Sequence, residues 1–498
     1  MKNNLILGLS ASALALMTSC VSNLPDSYNV NPKSATSALA SGFIANAERT
    51  LARTVVSSNV NLNPLRFYVQ YWAATDYPTE SRYDLNTRNI PNAFWTALYR
   101  DCIRDLREAK TTIPNDITIP SANKNNAQQV AEILEIYAWS ILVETYGNVP
   151  YTQAFDTNIS QPKYDDQATI YADLISRLNT AISKMSTSVS TGLGSNDLVN
   201  GGSTALWIKS ANAMKLRMAL IIADADPTKA KSLAESAVGN LPASNSESFD
   251  LTFDSTTPNT NPLYEDLVAS GRTDFVGTDI FINALKGTSS SSGTPTTGVQ
   301  DPRLTSYFNA ALSTTLPSGT YAGGTEGTTN NKAMYSLPGS QLQVQTLPGV
   351  FISYAQVQLM LAEAAARGFS VGGTAESFYN AGVTASILDW GGTTASAATY
   401  LASPGVAYST AAGDYKQKIG YQYWVALYNQ PVAAWTQWRR LDYPQLPIAA
   451  QAITTVIPRR FTYPVVEQNL NGENYTAAAA ALGTTGDAVA TKLFWDKY

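Results

Sequence analysis

Between Gln128 and Ala154 the chain reads QQVAEILEIYAWSILVETYGNVPYTQA, and this stretch narrows the possible folds more than any other. Val130, Ile133, Leu134, Tyr137, Ile141, Leu142 and Tyr146 recur at three- and four-residue spacing, which lays one apolar stripe along a helix. Gly147 ends it, because glycine enters the left-handed conformation of a helix stop without steric cost. Pro150 follows where a helix could not have continued. A buried helix therefore runs into a fixed turn, Tyr146–Tyr151, with a tyrosine at each end.

The helical period returns along the chain. Lys33–Val55 is alanine-rich, and Ile90–Lys110 carries Trp95, Leu98, Tyr99, Ile103 and Leu106. Pro162–Met185 presents Ile170, Leu174, Ile175, Leu178, Ile182 and Met185; Ala205–Ala223 presents Trp207, Ala211, Met214, Met218 and Ile221. Pro227–Val238, Phe351–Arg367, Ala375–Trp390 and a long aromatic helix over Tyr415–Asp442 complete the set, ahead of a short extended piece at Pro458–Tyr463 and a polar C-terminal segment. Helices joined by short connectors cannot each bury a stripe alone, so pairs must stack on pairs, the logic of tetratricopeptide repeats. No clean repeat period accompanies it. Asp250–Leu347 differs: Ser-, Thr-, Gly- and Asn-rich tracts alternate with short ordered pieces, and Gly391–Asp414 is a second such interruption. The expected fold is mainly α, one unit over 33–498, with a helical scaffold (33–249), a loop-rich lobe (250–347) and a helical C-terminal part (348–498).

An absence sets the chemistry. The chain has no histidine, which removes Ser-His-Asp and Cys-His catalysis, HExxH zinc sites and imidazole bases together. It also lacks a Gly-rich phosphate loop and a calcium-binding loop, so neither a metal nor a cofactor is expected. A formal net charge of −5 with no basic cluster argues against a nucleic-acid partner. Any catalysis would fall to carboxylates, tyrosine, lysine or a metal held by oxygens alone; among the carboxylates Asp76 with Glu80, or Asp165 with Asp166, could form a pair. Cys102, between Tyr99 and Ile103 in a helical pattern, reads as a small buried residue.

Met1–Ser19 has a basic start at Lys2 and an apolar run, Leu5–Met17, of signal-peptide length. It ends Leu16-Met17-Thr18-Ser19-Cys20, which fits a lipoprotein cleavage box with lipid on Cys20 and residues 20–32 as a tether. An ordinary secretory signal or an N-terminal core helix are the alternatives. Pro64–Tyr83 packs Phe67, Tyr68, Tyr71, Trp72, Tyr77 and Tyr83 around Asp76, Glu80 and Arg82. Its first half has helical spacing, so Phe67, Tyr71 and Trp72 also fit a core. Asp76-Tyr77-Pro78 then breaks into a loop, where aromatic rings stand exposed as readily as buried.

Several segments, in order, resemble the SusD/RagB family of nutrient-capturing outer-membrane lipoproteins. YGNVPYTQA is similar to its YGDVPY turn, and Trp207–Arg217 (WIKSANAMKLR) to its W-K-AN-LKLR helix. Asp301-Pro302-Arg303-Leu304 resembles its DPR turn, and Ser353–Gly368 its YAE…AEA helix, with Gln356 where an acid is common. Trp435 with Arg439 and Arg440, then Arg459–Pro464 with Glu467 and Asn471–Asn474, resemble its closing signatures. These arginines, with Arg217 and Arg303, are expected to fix helix ends and loops by pairing with carboxylates or carbonyls, and Glu363 to answer one of them.

The resemblance implies a helical, tetratricopeptide-like binding protein rather than an enzyme. It would be held at the outer membrane, on the cell surface, through lipid on Cys20, as the lid of a SusC-like TonB-dependent transporter. Its ligand would be a glycan oligosaccharide in preference to a peptide. Ligand contacts are expected at Trp72, Asp76, Tyr77, Arg82 and Tyr83, with Tyr321 from a Gly-rich loop. A surface carbohydrate-active enzyme using a carboxylate pair, or a structural surface protein, are the competing readings.

Overall fold

The structure, a computed structural model, describes residues 39–289 and 296–498. The expected leader (1–19), Cys20, the tether (20–32) and the start of the helix expected from Lys33 lie outside the described residues.

The α-helices of seven residues or more among the described residues are α1 Ala40–Val56, α2 Ile90–Leu98, α3 Arg104–Thr112, α4 Lys124–Tyr146, α5 Gln167–Lys184, α6 Thr204–Ile221, α7 Pro227–Ala237, α8 Asp279–Leu285, α9 Tyr354–Ala366, α10 Ala375–Asp389, α11 Thr394–Leu401, α12 Tyr415–Ala426, α13 Pro431–Leu441 and α14 Gly472–Ala481. Asp166, Ser203, Asp226, Ser353 and Asp414 accept a backbone N–H at the first turn of α5, α6, α7, α9 and α12, as their side chains favour. Three two-stranded antiparallel ribbons join distant segments: β1 (Trp72–Ala74) with β5 (Phe275–Gly277), β2 (Val149–Pro150) with β3 (Tyr164–Asp165), and β4 (Phe249–Leu251) with β6 (Gly349–Ile352).

The pairs α4/α5, α6/α7, α9/α10 and α12/α13 pack within themselves, and α5 on α6, α6 on α9 and α9 on α12 join them into a stack. This is the tetratricopeptide-like scaffold expected from the periodicity. α4 is buried on nearly every side: Ile136, Ala138, Trp139 and Val143, outside the expected stripe, are as inaccessible as the stripe itself. Gly147 stops it at φ +85°, and a Cβ there would meet Leu493 at 2.9 Å.

Two expectations are corrected. The long helix over Tyr415–Asp442 is two, because Pro431 has no N–H for an i−4 carbonyl and can enter a helix only at its first turn. The polar C-terminal segment is partly helical, in Val465–Leu470 and α14. Asp165 and Asp166 are structural: the first accepts the Tyr151 and Thr152 N–H groups at 3.0 and 2.8 Å, and the second caps α5. Cys102 is buried within the core, which pushes its thiol well up.

The motif arginines lock the scaffold. Arg217 of α6 pairs with both oxygens of Glu144 in α4. Arg439 donates to the Glu144 and Arg459 carbonyls at 2.8 and 2.7 Å, and Arg460 to the Tyr146 carbonyl at 2.9 Å and to Asp487. Arg303 clasps Asp301 of its own turn at 2.6 and 2.8 Å. Glu363, inaccessible in α9, takes Arg440 and, at 2.8 Å, Arg367. Glu363→Ala would leave Arg440 charged and unpaired in the core, so denaturant unfolding should lose about 3–5 kcal/mol.

A second buried pair responds to pH. Asp197 accepts from the Asn200 and Gly202 amides and from Trp207 Nε1, so it is the better-supported anion. Glu48, inaccessible in α1, receives only the Leu198 N–H, and burial beside Asp197 holds its carboxyl well above 4.5. A raised native pKa gives stability that is complete below the unfolded value and is lost as pH rises through the native one. Glu48→Gln should therefore gain thermal stability over the parent chain progressively as pH rises above 4.5, measured by melting curves at a series of pH values.

Candidate functional site

The β1–β5 ribbon brings together two loops about two hundred residues apart, pairing Trp72 with Gly277 and Ala74 with Phe275. Beyond it Thr75 N and Oγ1 donate to the Asp274 and Thr273 carbonyls at 2.9 and 2.6 Å. Beneath, Arg66 ends α1: it donates to the Val56 and Ser57 carbonyls at 3.0 and 2.7 Å and to Asn429 Oδ1 at 3.1 Å. A cation at a helix C-terminus suits the helix dipole, though burial lowers this guanidinium to about 10. Its face lies 4.8 Å over the Trp72 ring, which in turn lies 4.9 Å from Phe275.

Phe67, Ala74 and Phe275, backed by this layer, floor a cleft of about 220 Å³. Its walls are Ser58–Asn61 after α1, Asp76, Tyr77, Glu80 and Arg88, and the segment from Asp266 to Phe275. Arg53 and Glu265 tie α1 to that last wall with two hydrogen bonds at 2.9 and 2.6 Å. Ser58 Oγ donates to Asp266 at 2.8 Å, and burial raises the Asp266 carboxyl. Buried Glu80 pairs with Arg88 at 2.6 Å, and Arg272 with Asp274 at 2.8 Å. Asp76 and Tyr77 stand exposed on the rim, the Tyr77 residue 69% accessible.

Backbone strain concentrates here. Of seven non-glycine residues at positive φ among the described residues, four lie between Gln70 and Asn89, Tyr77 among them at φ +51°. Such conformations cost free energy and persist where surrounding contacts fix them, commonly at ligand sites. The result is an aromatic face held out to solvent above alternating carboxylates, guanidiniums, amides and hydroxyls. That set can stack against a sugar ring and exchange hydrogen bonds in both directions with its hydroxyls.

Of the six residues expected at a ligand site, only Asp76 and Tyr77 line this cleft. Trp72 and Tyr83 are corrected to core residues. Trp72 is 1% exposed with its Nε1 on Tyr428 OH at 2.8 Å, and Tyr83, equally buried, receives the Ala449 N–H. Neither ring has a free face. Arg82 is half-buried and gives its Nε to the Gly327 carbonyl at 2.8 Å. Tyr321, half-buried in the lobe, lies outside the cleft, its carbonyl accepting from Lys286 at 3.4 Å. Sequence reasoning missed Ser58, Asp266, Arg272 and Asp274; the charged, glycine-interrupted run EDLVASGRTD was the one signal, with nothing to bring it beside Tyr77.

The SusD-like family model described as starch-binding and associating with the outer membrane matches residues 32–464. A solved structure described as a chitin-binding protein is 26% identical, with a TM-score of 0.78, covering 92% of this chain and 100% of its own. A chitin-binding SusD homolog from Flavobacterium johnsoniae (23%, TM-score 0.76, 92% and 98% covered) and a SusD homolog from Parabacteroides distasonis (21%, 0.77, 92% and 98%) share the fold. No curated protein matches the chain.

The core and rim assignments separate by mutation. Trp72→Ala should cost about 3–5 kcal/mol in denaturant unfolding, whereas Tyr77→Ala should stay within about 0.5 kcal/mol of the parent.

Proposed function

The chain belongs to the SusD-like family, and from that membership we propose that it captures a glycan oligosaccharide at the outer membrane, in the cleft rimmed by Asp76 and Tyr77. The observation that carries this reading is the Tyr77 ring, exposed in a left-handed backbone above a floor already rigid through Arg66 and Trp72. A backbone already fixed at Tyr77 keeps part of the entropic cost of capture low. The chitin-binding description of one relative supports a glycan over a peptide. Glu80 and Asp274 are each paired with an arginine, which supports binding over carboxylate-pair hydrolysis.

In this reading Cys20 carries the lipid that holds the protein at the cell surface, and a SusC-like TonB-dependent transporter receives the glycan. No described helix is long and apolar enough to cross a membrane, which is compatible with such an anchor.

The test is calorimetric titration with a panel of soluble oligosaccharides and peptides. Tyr77→Ala and Arg272→Ala should each weaken the best glycan about tenfold or more, a loss near 1.4 kcal/mol, with melting temperature unchanged. Unchanged affinity in both variants would remove the cleft from the reading, and turnover of the glycan would restore the enzyme.

A further inference from the structure

A cavity of about 120 Å³ lies between the β4–β6 ribbon, the end of α10 and the turn from α12 into α13, and shares no lining residue with the cleft at Tyr77. The ribbon explains its first polar wall. Phe249 and Leu251 are buried in the core, so alternation along β4 turns Asp250 between them to the other face. Val350, its partner across the ribbon, lines the same cavity, as partners on one face should. From α10 come Ser386 and Asp389, three residues apart on one side of the helix, with Asp389 open to solvent at the mouth.

These walls hold acceptors that lack donors. Neither Asp250 nor Asp389 accepts a hydrogen bond or joins an ion pair among the described residues, and no lysine or arginine lines the cavity. Burial, and then the nearby Asp389, raise the Asp250 carboxyl to about 7. Gln430 is the third acceptor. It is 6% exposed and gives its Nε2 to Gln356 Oε1 at 3.0 Å, which leaves its own Oε1 unbonded toward the cavity it lines. Leu347, Pro348, Ala355 and Ala426 add apolar surface.

The chemistry selects a ligand class. An anion would meet two carboxylates and no cation. A calcium ion takes six or more oxygens, and no three acidic, histidine or cysteine side chains gather for a metal among the described residues. A primary ammonium asks for three acceptors, one for each N–H, and Asp250, Asp389 and Gln430 supply three. We propose that this cavity is a second binding site, for a small primary amine, its ammonium shared by those three side chains and its alkyl stem against Leu347 and Ala355. A cavity of this size admits a short stem. The site stands independently of glycan capture at Tyr77.

The probe is n-butylammonium chloride, titrated calorimetrically into the protein at pH 8. The matched probes are n-butanol, the same stem without charge, and butyltrimethylammonium, the same charge without N–H donors. Saturable binding of the amine, at least tenfold tighter than either, is the expected result. Asp389→Asn, at the mouth, should weaken it tenfold or more with the melting temperature unchanged. Asp250→Asn should weaken it as much while raising the melting temperature of the ligand-free protein, because a carboxylate buried without a donor is destabilising. No saturable binding of n-butylammonium, equal binding of butyltrimethylammonium, binding of calcium chloride alone, or an affinity unchanged in both aspartate variants would each overturn the proposal.

Discussion

The carboxyl end of α4 is the point on which the structure turns. A helix of this length leaves its last carbonyls without intrahelical partners and with partial negative charge, and here that end lies deep in the protein. Three arginines from three distant segments answer it: Arg217 on the Glu144 side chain, Arg439 on the Glu144 carbonyl, Arg460 on the Tyr146 carbonyl. Each must be buried to reach its partner, and each is cheap to bury only when it does. Satisfying one helix end thus fixes α6, α13 and the irregular segment 459–463 around it. Tyr463 OH adds a hydrogen bond to the Asn148 carbonyl at 2.8 Å in the turn just beyond.

The same device, in smaller form, builds the cleft. Arg66 ends α1, and its face carries Trp72, Phe275 and so the ribbon that aligns the two cleft walls. The floor is therefore part of the core, while Asp76 and Tyr77 project from it, Tyr77 on left-handed backbone. Rigidity below and exposure above are what a site needs to bind a polar ligand without ordering itself first.

The cleft was only half visible in the sequence. Tyr77 and Tyr83 sit in the same short run, with equal claims to be exposed, yet one is open to solvent and the other lies against Tyr68 at 5.4 Å and hydrogen-bonds Ala449. What separates them is a loop more than three hundred residues away, which local patterning does not encode. Trp72 resembles a ligand platform by type and is a platform in fact, but for Phe275 and Arg66. The opposing wall, Asp266 to Asp274, comes beside Tyr77 only through the β1–β5 pairing, and strands of three residues leave almost no periodic signal.

What the sequence by itself determined is the helical scaffold, its pairing and its buried arginines, together with the family those motifs mark. The reason is that stripes, caps and helix stops are local, and a long apolar stripe has few ways to be hidden. The tertiary structure alone decided which carboxylate meets each arginine, which aromatics close the core, and which two loops face each other across a cleft. Those outcomes depend on contacts between residues hundreds of positions apart, where burial converts a residue's chemistry into either a fastening or a binding surface.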